Sequence, residues 1–275
     1  MKNNIYIIIL LFSFFACTKK ADVEIQNLNG NTISIFGHGG MGIKSSYPIN
    51  TFESIQKCLN TGSDGVEFDV QLTSDSVLVA YHGTDLSEST NLSGKISELT
   101  WAEVKDAKYK TTPYLDYKII SVNSIFSRVK KLYDFGYSMD CKVPDNHPHK
   151  SKYLKNFASS INKLLKKYNL TNHAFIESKD TNLINNLVEL NLTKRLFVYS
   201  SDFSSSLKFS QKKGIYGISI PNNIISKEQI ELAHQKNLRI ILWRMDSKRS
   251  NMDALDKSPD FIQTEYLVYL KALLR

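Results

Sequence analysis

The chain has 275 residues, of which 42% are hydrophobic and 23% charged, and a formal net charge of +8. This length suits one large domain or two small ones, and the composition is that of an ordinary globular protein. The charge invites a nucleic-acid-binding interpretation, but the lysines are scattered and no nucleic-acid-binding motif accompanies them. We therefore exclude nucleic acid as a partner, and note that basic faces equally suit a protein near anionic lipid.

The first residues have the pattern of a bacterial export signal. Lys2 precedes an apolar run over residues 5–16, which is too short to span a bilayer comfortably. The residues up to Cys17 resemble a lipobox, so we expect cleavage before Cys17 and lipid attachment to it. Residues 17–31 are then a polar tether, and the protein is a lipoprotein of the bacterial cell envelope. The alternative is an ordinary signal peptide with an incidental cysteine.

The first strand is predicted at residues 32–36, which form a β-branched run. Gly37, Gly39 and Gly42 then spell G-x-G-x-x-G, but a loop follows where a dinucleotide-binding fold needs a helix. We therefore reject that fold and expect these glycines to let the backbone approach a ligand closely. Thr51 is predicted to cap a helix that ends near residue 60.

The next stretch is irregular. Strands are predicted at residues 65–71 and 77–82, with only residues 72–76 between them. This is too short for the helical crossover that joins neighbouring parallel strands, so the sequence leaves the geometry open here. Residues 84–120 contain no strong strand. They are predicted to form a small cap insertion with a short helix near residues 100–107.

From residue 121 onwards, predicted helices and strands alternate regularly. The strands are expected at residues 137–143, 174–176, 196–199, 217–220, 239–243 and 261–264. Such alternation implies a parallel sheet with helices outside, and this many units favours closure of the sheet into a barrel. One domain, residues 32–275, accounts for the chain after the tether.

Polar residues stand at the ends of the predicted strands, where the active sites of such barrels lie. Glu67 and Asp69 are two residues apart, so both point to the same face of a strand. Two carboxylates on one face suit a hard divalent cation, and leaving them unpaired on a central strand would be costly. His38 and His82 follow apolar runs on either side of this pair. Histidines in that position suit proton transfer beside a bound metal.

These landmarks resemble the glycerophosphodiester phosphodiesterase family in order and spacing. The motifs that carry the resemblance are His38-Gly39-Gly40, Pro48-Ile49-Asn50-Thr51, Glu67-Phe68-Asp69-Val70-Gln71-Leu72-Thr73-Ser74-Asp75, His82-Gly83, Asp140-Cys141-Lys142 and Trp243. The resemblance implies a TIM-type (β/α)₈ barrel, irregular around strands two and three, with a small insertion after the third strand. It also implies metal-dependent hydrolysis of glycerophosphodiesters to sn-glycerol 3-phosphate and an alcohol such as choline or ethanolamine.

The resemblance assigns a role to each motif residue. Catalysis falls to His38 and His82, acting as general acid and base in an order that stays open. One divalent cation, Mg²⁺ or Ca²⁺, is expected on Glu67, Asp69 and Asp140, the last of which replaces the glutamate usual in the family. The residues expected at the substrate are Lys142 at the phosphate, Trp243 as a wall for the glycerol, and Gly39 in the loop after His38.

Two motif positions depart from the family. Gly39 stands where the family has an arginine that contacts phosphate, and Gly83 stands where it has an aspartate. Lys44 or Lys142 could supply the missing positive charge. Glu177 is expected to touch substrate hydroxyls, whereas Glu265, found where the family often has aspartate, receives no role.

Two alternatives stay open. One is an activity like that of phosphatidylinositol-specific phospholipase C. The other, made conceivable by the missing arginine, is a catalytically inactive, lipid-anchored protein that binds phosphoesters.

Overall fold

Eight parallel strands close into a barrel within the part of the chain that this computed structural model describes, residues 33–43, 45–110 and 116–273. The first strand pairs with both the second and the last, which completes the ring. In chain order the strands, including two outside the ring, are β1 (Ser34–Gly37), β2 (Gly65–Leu72), β3 (Leu78–Ala80), β4 (Ile120–Ser121), β5 (Gly136–Cys141), β6 (Ala174–Ser178), β7 (Leu196–Tyr199), β8 (Gly217–Pro221), β9 (Arg239–Met245) and β10 (Phe261–Thr264). The expected TIM-type barrel is confirmed.

Helices alternate with the barrel strands and cover their outer faces, apart from one short helix that belongs to the insertion after the second barrel strand. They are α1 (Phe52–Asn60), α2 (Trp101–Val104), α3 (Val122–Arg128), α4 (Lys150–Lys167), α5 (Thr181–Glu189), α6 (Phe203–Lys213), α7 (Lys227–Gln235), α8 (Lys248–Asp256) and α9 (Leu267–Leu273). Thr51 caps α1 as expected, since its hydroxyl accepts a hydrogen bond from the Ser54 backbone at 3.2 Å. None of the helices in the described ranges is long and apolar enough to cross a membrane. The expected signal segment (residues 1–16), tether (17–31), lipidation site Cys17 and the compensating Lys44 lie outside the described residues.

The irregular stretch resolves into two strands that leave the ring. β3 runs antiparallel to β2, and β4 runs antiparallel to β3, so β5 becomes the next barrel strand after β2. The strand predicted at residues 77–82 therefore lies outside the barrel. Side chains of this insertion pack into an apolar cluster of their own: Val79, Tyr81, Leu86, Ile96, Val104, Ala107, Tyr109 and Ile119.

The side chains inside the barrel are apolar at one end, here called the floor, and mostly polar at the other, upper end. Phe36, Phe175, Phe197 and Ile241 form an apolar cluster separate from the main core, and these residues lie on four different barrel strands. Side chains two residues apart on a strand share a face, so the positions above this floor also point inward. Those positions carry polar or aromatic groups: His38, Glu177, Tyr199 and Trp243. The floor thus closes the barrel beneath a polar upper end.

Truncating the floor should destabilise the protein. The Phe197 ring is fully buried and lies 5.9 Å from the rings of both Phe175 and Phe261. We expect Phe197→Ala to lower the free energy of unfolding by about 3–5 kcal/mol, because it leaves a cavity among rigid rings. Chemical denaturation measures this change. Val268→Ala is the matched control: its side chain is 62% exposed, so a change within about 0.5 kcal/mol is expected. Equal effects of the two substitutions would contradict the described floor.

Candidate active site

Three carboxylates converge at the carboxyl ends of β2 and β5. Asp69 and Asp140 are register partners on these neighbouring strands, and Glu67 precedes Asp69 by two residues on the same face. One oxygen from each of the three carboxylates lies within 4.8 Å of the others, and all three residues are buried. Such an all-oxygen donor set fits a hard divalent cation, so these residues could hold one.

The carboxylates crowd negative charge into a buried place. Burial raises the pKa of Glu67 well above its usual range, and neighbouring carboxylates add to this although His38 opposes it. Burial likewise raises the pKa of Asp140, against the nearby Lys142. For Asp69 burial acts in the same direction, but Lys142 and the histidines prevail and lower its pKa. A cation at this point would relieve the repulsion that the three groups share.

Lys142 lies directly against two of these carboxylates. Its Nζ is 3.0 Å from Asp69 Oδ1 and 2.5 Å from Asp140 Oδ2. Burial would favour the neutral amine, but the two carboxylates raise the pKa of Lys142 and keep it charged. The ammonium also lies 5.7 Å from the centre of the Tyr199 ring, on the wall of the cleft. It is therefore placed between the candidate metal ligands and the space where a substrate would bind.

Asn50 is a site residue to which the sequence analysis gave no role, although its motif was noticed. Its side-chain amide donates to Asp69 Oδ2 at 2.7 Å, and its side-chain oxygen accepts from the Asp69 backbone at 2.9 Å. The residue has a φ of +65°, which asparagine tolerates better than most residues. This pair of hydrogen bonds fixes the orientation of the Asp69 carboxylate.

His38 directly follows β1 and lies between two carboxylates. Its Nε2 is 3.8 Å from Glu67 Oε2, and its Nδ1 is 2.5 Å from Glu265 Oε1. Burial would lower the pKa of the ring, but Glu67 and Glu265 outweigh burial and raise it to about 10. Glu265 directly follows β10, which the closed barrel places beside β1. The signals in the sequence were the position of Glu265 at a strand end and the aspartate that the resembled family often has there.

His82 reaches the same site from the insertion. It follows β3 by two residues and so does not end a barrel strand, which corrects that part of the sequence prediction. Its side chain is exposed and lines a cleft of about 710 Å³ together with Asp140, Lys142 and Tyr199. His82 is also among the groups that lower the pKa of Asp69.

An aromatic pair forms one wall above the barrel floor. The rings of Trp243 and Tyr199 stack with their centres 4.8 Å apart and an angle of 16° between their planes. A bulge in β9 accompanies this arrangement, with Arg244 at a φ of +71°. Trp243 Nε1 is buried and has no hydrogen-bond partner among the described residues.

The loop after His38 leaves no room for a side chain at Gly39. The Gly39 backbone N–H donates to Glu67 Oε2 at 2.8 Å, which holds a candidate metal ligand in place. Gly39 has a φ of +57°, and a Cβ added there would lie 2.6 Å from the Ile49 Cβ. An arginine at this position would force the loop to move. Gly39 thus contributes its backbone to the site, and it has no side chain that could contact a ligand.

Glu177, which the sequence analysis expected at the substrate hydroxyls, lies inside the barrel with its carboxylate held by neighbouring side chains. It is 1% exposed and accepts hydrogen bonds from the side chains of Ser138 and Gln263. Burial and the neighbouring Asp140 raise its pKa to about 7. Its hydrogen bonds tie β5, β6 and β10 together inside the barrel.

Comparison with known proteins gives several matches. The family model for the glycerophosphoryl diester phosphodiesterase family matches residues 41–264. A curated glycerophosphodiester phosphodiesterase from Bacillus altitudinis is 41% identical over 71 residues, which cover 26% of this chain and 28% of that protein. The matches to the first curated relatives thus span well under two thirds of their length.

Solved structures extend the likeness to the whole barrel. A glycerophosphodiester phosphodiesterase from Parabacteroides distasonis gives a TM-score of 0.76 at 20% identity, covering 88% of this chain and 96% of that one. A phosphodiesterase from Oleispira antarctica, in complex with the product sn-glycerol-3-phosphate, gives a TM-score of 0.75 at 16% identity, with coverage of 88% and 96%. At these identities the structures establish the fold. Because the family model spans most of the chain, this protein belongs to the glycerophosphoryl diester phosphodiesterase family.

Proposed function

We propose that this protein is a metal-dependent phosphodiesterase that hydrolyses glycerophosphodiesters to sn-glycerol 3-phosphate and an alcohol. The observation that carries the proposal is the group of three buried carboxylates, Glu67, Asp69 and Asp140. His38 lies beside them in the barrel, and His82 reaches the adjoining cleft from the insertion. Membership in the family supports it. So does the Oleispira antarctica phosphodiesterase of the same fold, which was solved with sn-glycerol-3-phosphate.

The carboxylates would hold one Mg²⁺ or Ca²⁺ ion, since oxygen-only ligands favour these cations over zinc. When bound, the cation supplies positive charge that stabilises the negative charge growing on the non-bridging phosphate oxygens. Lys142 adds a second positive charge at the edge of the same carboxylates, within the cleft. Tyr199 lines the cleft and stacks on Trp243, and this aromatic pair would give the glycerol moiety an apolar wall.

The two histidines divide the proton transfers. One takes a proton from the attacking hydroxyl, of water or of the neighbouring glycerol hydroxyl, as its oxygen bonds to phosphorus. The other gives a proton to the alcohol oxygen as the bond between that oxygen and phosphorus breaks. Histidine suits both roles because its ordinary pKa lies near neutrality. A cation on Glu67 would offset the negative charge that raises the pKa of His38. An alkoxide is a poor leaving group, so its protonation should contribute strongly to the rate.

Turnover should require both the cation and the carboxylates. We expect the protein to release sn-glycerol 3-phosphate from at least one member of a panel of glycerophosphodiesters. A chelator should abolish this release, and added Mg²⁺ or Ca²⁺ should restore it. Asp69→Asn should weaken cation binding in calorimetry and lower turnover together, because it removes a charged ligand.

The same panel separates the alternatives. Cleavage of intact phosphatidylinositol in preference to glycerophosphodiesters would favour the phospholipase-like activity. Binding of phosphoesters with no turnover under any cation would favour the inactive binding protein. As a matched control, Asp116→Asn changes a carboxylate whose side chain is 92% exposed, and it should alter neither cation binding nor turnover.

Each histidine should be needed for the chemical step. We expect His38→Ala and His82→Ala each to lower kcat by about 10²–10⁴-fold, the usual contribution of a general acid or base. His173→Ala is the matched control, because His173 lies with Phe36 and Asp64 at the other end of the barrel. Steady-state kinetics and thermal unfolding of the three variants check this. If either site variant keeps wild-type turnover while folded, the two-histidine mechanism is wrong.

We further propose that a lipid on Cys17 holds the protein to the bacterial cell envelope. The support is the lipobox-like sequence that ends at Cys17 and the short apolar run before it. Cys17→Ser should release the protein from the membrane fraction, since several acyl chains anchor a protein stably whereas none does. Mass spectrometry of the wild type should find a lipid-modified cysteine. A soluble wild type without lipid would contradict the proposal.

A further inference from the structure

The junction where the barrel closes joins two side chains from opposite ends of the chain. Gly37 of β1 and Thr264 of β10 are register partners, so the residues that follow them, His38 and Glu265, are neighbours. The His38 backbone N–H donates to the Thr264 carbonyl at 3.1 Å. The ring Nδ1 then lies 2.5 Å from Glu265 Oε1. Backbone pairing and side-chain contact therefore fix the same arrangement.

The Glu265 carboxylate is itself held in place. Its second oxygen, Oε2, accepts a hydrogen bond from the Ile43 backbone at 2.5 Å, and its side chain is only 10% exposed. Gly42 makes room for this arrangement, because a Cβ there would lie 2.7 Å from Glu265 Oε2. Gly42 also has a φ of +87°, which favours glycine. The loop after His38 is thus shaped around the carboxylate.

This geometry determines which ring nitrogen can exchange a proton. An ionised carboxylate only accepts hydrogen bonds, so His38 Nδ1 must carry its proton toward Glu265. The other nitrogen, Nε2, lies 3.8 Å from Glu67 Oε2, beyond hydrogen-bond distance, on the side of the candidate metal ligands. Nε2 is therefore the atom that faces the reacting groups. A carboxylate that orients a catalytic histidine in this way is a recurring arrangement in enzymes.

We propose that Glu265 is a positioning residue, which holds the Nδ1 proton of His38 and directs Nε2 toward the three carboxylates. The proposal rests on the proposed function insofar as it assigns His38 a proton transfer. Glu265 acts only through His38 and needs no contact with substrate. Glu265 is 227 residues away from His38 in the sequence, so the two side chains meet only when the barrel is closed.

The test compares Glu265→Gln with wild type by kinetics and by nitrogen NMR of the histidine rings. Glutamine keeps the shape of the side chain, but its amide can either donate or accept, so it no longer imposes a proton on Nδ1. We expect kcat to fall by about 10–100-fold, as for other groups that orient catalytic or metal-bound histidines. The KM, the cation affinity in calorimetry and the unfolding temperature should stay unchanged. Glu265→Asp keeps the carboxylate and should retain more of kcat than Glu265→Gln.

The NMR measurement stands independently of turnover. Wild type should show a hydrogen-bonded Nδ1–H signal that disappears in His38→Gln and is lost or weakened in Glu265→Gln. Glu189→Gln, at an exposed position of α5, is the matched control and should leave both kcat and this signal unchanged.

A wild type without the signal, or a Glu265→Gln variant with unchanged kcat and signal, would overturn the positioning role. If Glu265→Gln loses cation affinity or stability together with kcat, Glu265 has only a structural role. If no phosphodiester is turned over by wild type, the proposed function fails while the NMR signal still decides the role of Glu265.

Discussion

Mutual repulsion among buried carboxylates is the constraint on which the upper end of this barrel depends. Strands β2 and β5 hold three acidic side chains within 4.8 Å of one another, away from water. Burying such a group of carboxylates destabilises the folded state unless opposite charge accompanies it. Lys142 and His38 supply that charge, and Asn50 fixes the orientation of Asp69. Residues that a protein keeps at such a cost are candidates for function, and here all of them surround one place.

Much of the fold and of the candidate site could be predicted from the sequence, because strand periodicity is a local property of the chain. Glu67 and Asp69 share a face whatever the rest of the chain does, and the regular alternation after residue 121 leaves a closed parallel barrel as the simplest outcome. Barrel strands also present their carboxyl ends on one side. That rule places Asp140, Lys142 and Trp243 near the acidic pair without any knowledge of side-chain contacts.

What could not be predicted depends on contacts between distant segments. The apolar run at residues 77–82 has a pattern that suits a barrel strand as well as it suits β3. In the structure, β3 pairs antiparallel to β2 outside the ring. The hydrogen bonds of Asn50 require a backbone turn that no periodicity describes. Glu265 gains its meaning only from its contact with His38, because the register between the first and last strands decides which side chains meet. The sequence analysis treated Gly39 as the loss of an arginine side chain. The structure shows that the loop also has no space for a side chain at this position.

Closure by the last strand has a consequence for biosynthesis. A growing chain has already made all three candidate metal ligands once residue 140 is complete, but the partner of its first histidine arrives only with β10 and the residue after it. Pairing of the two chain ends is the most non-local contact in the ring, and such contacts form late and slowly. A nascent or truncated chain would therefore present the acidic residues to solvent without an ordered His38. A chain that ends before β10 would leave β1 without one of its two neighbouring strands and His38 without Glu265.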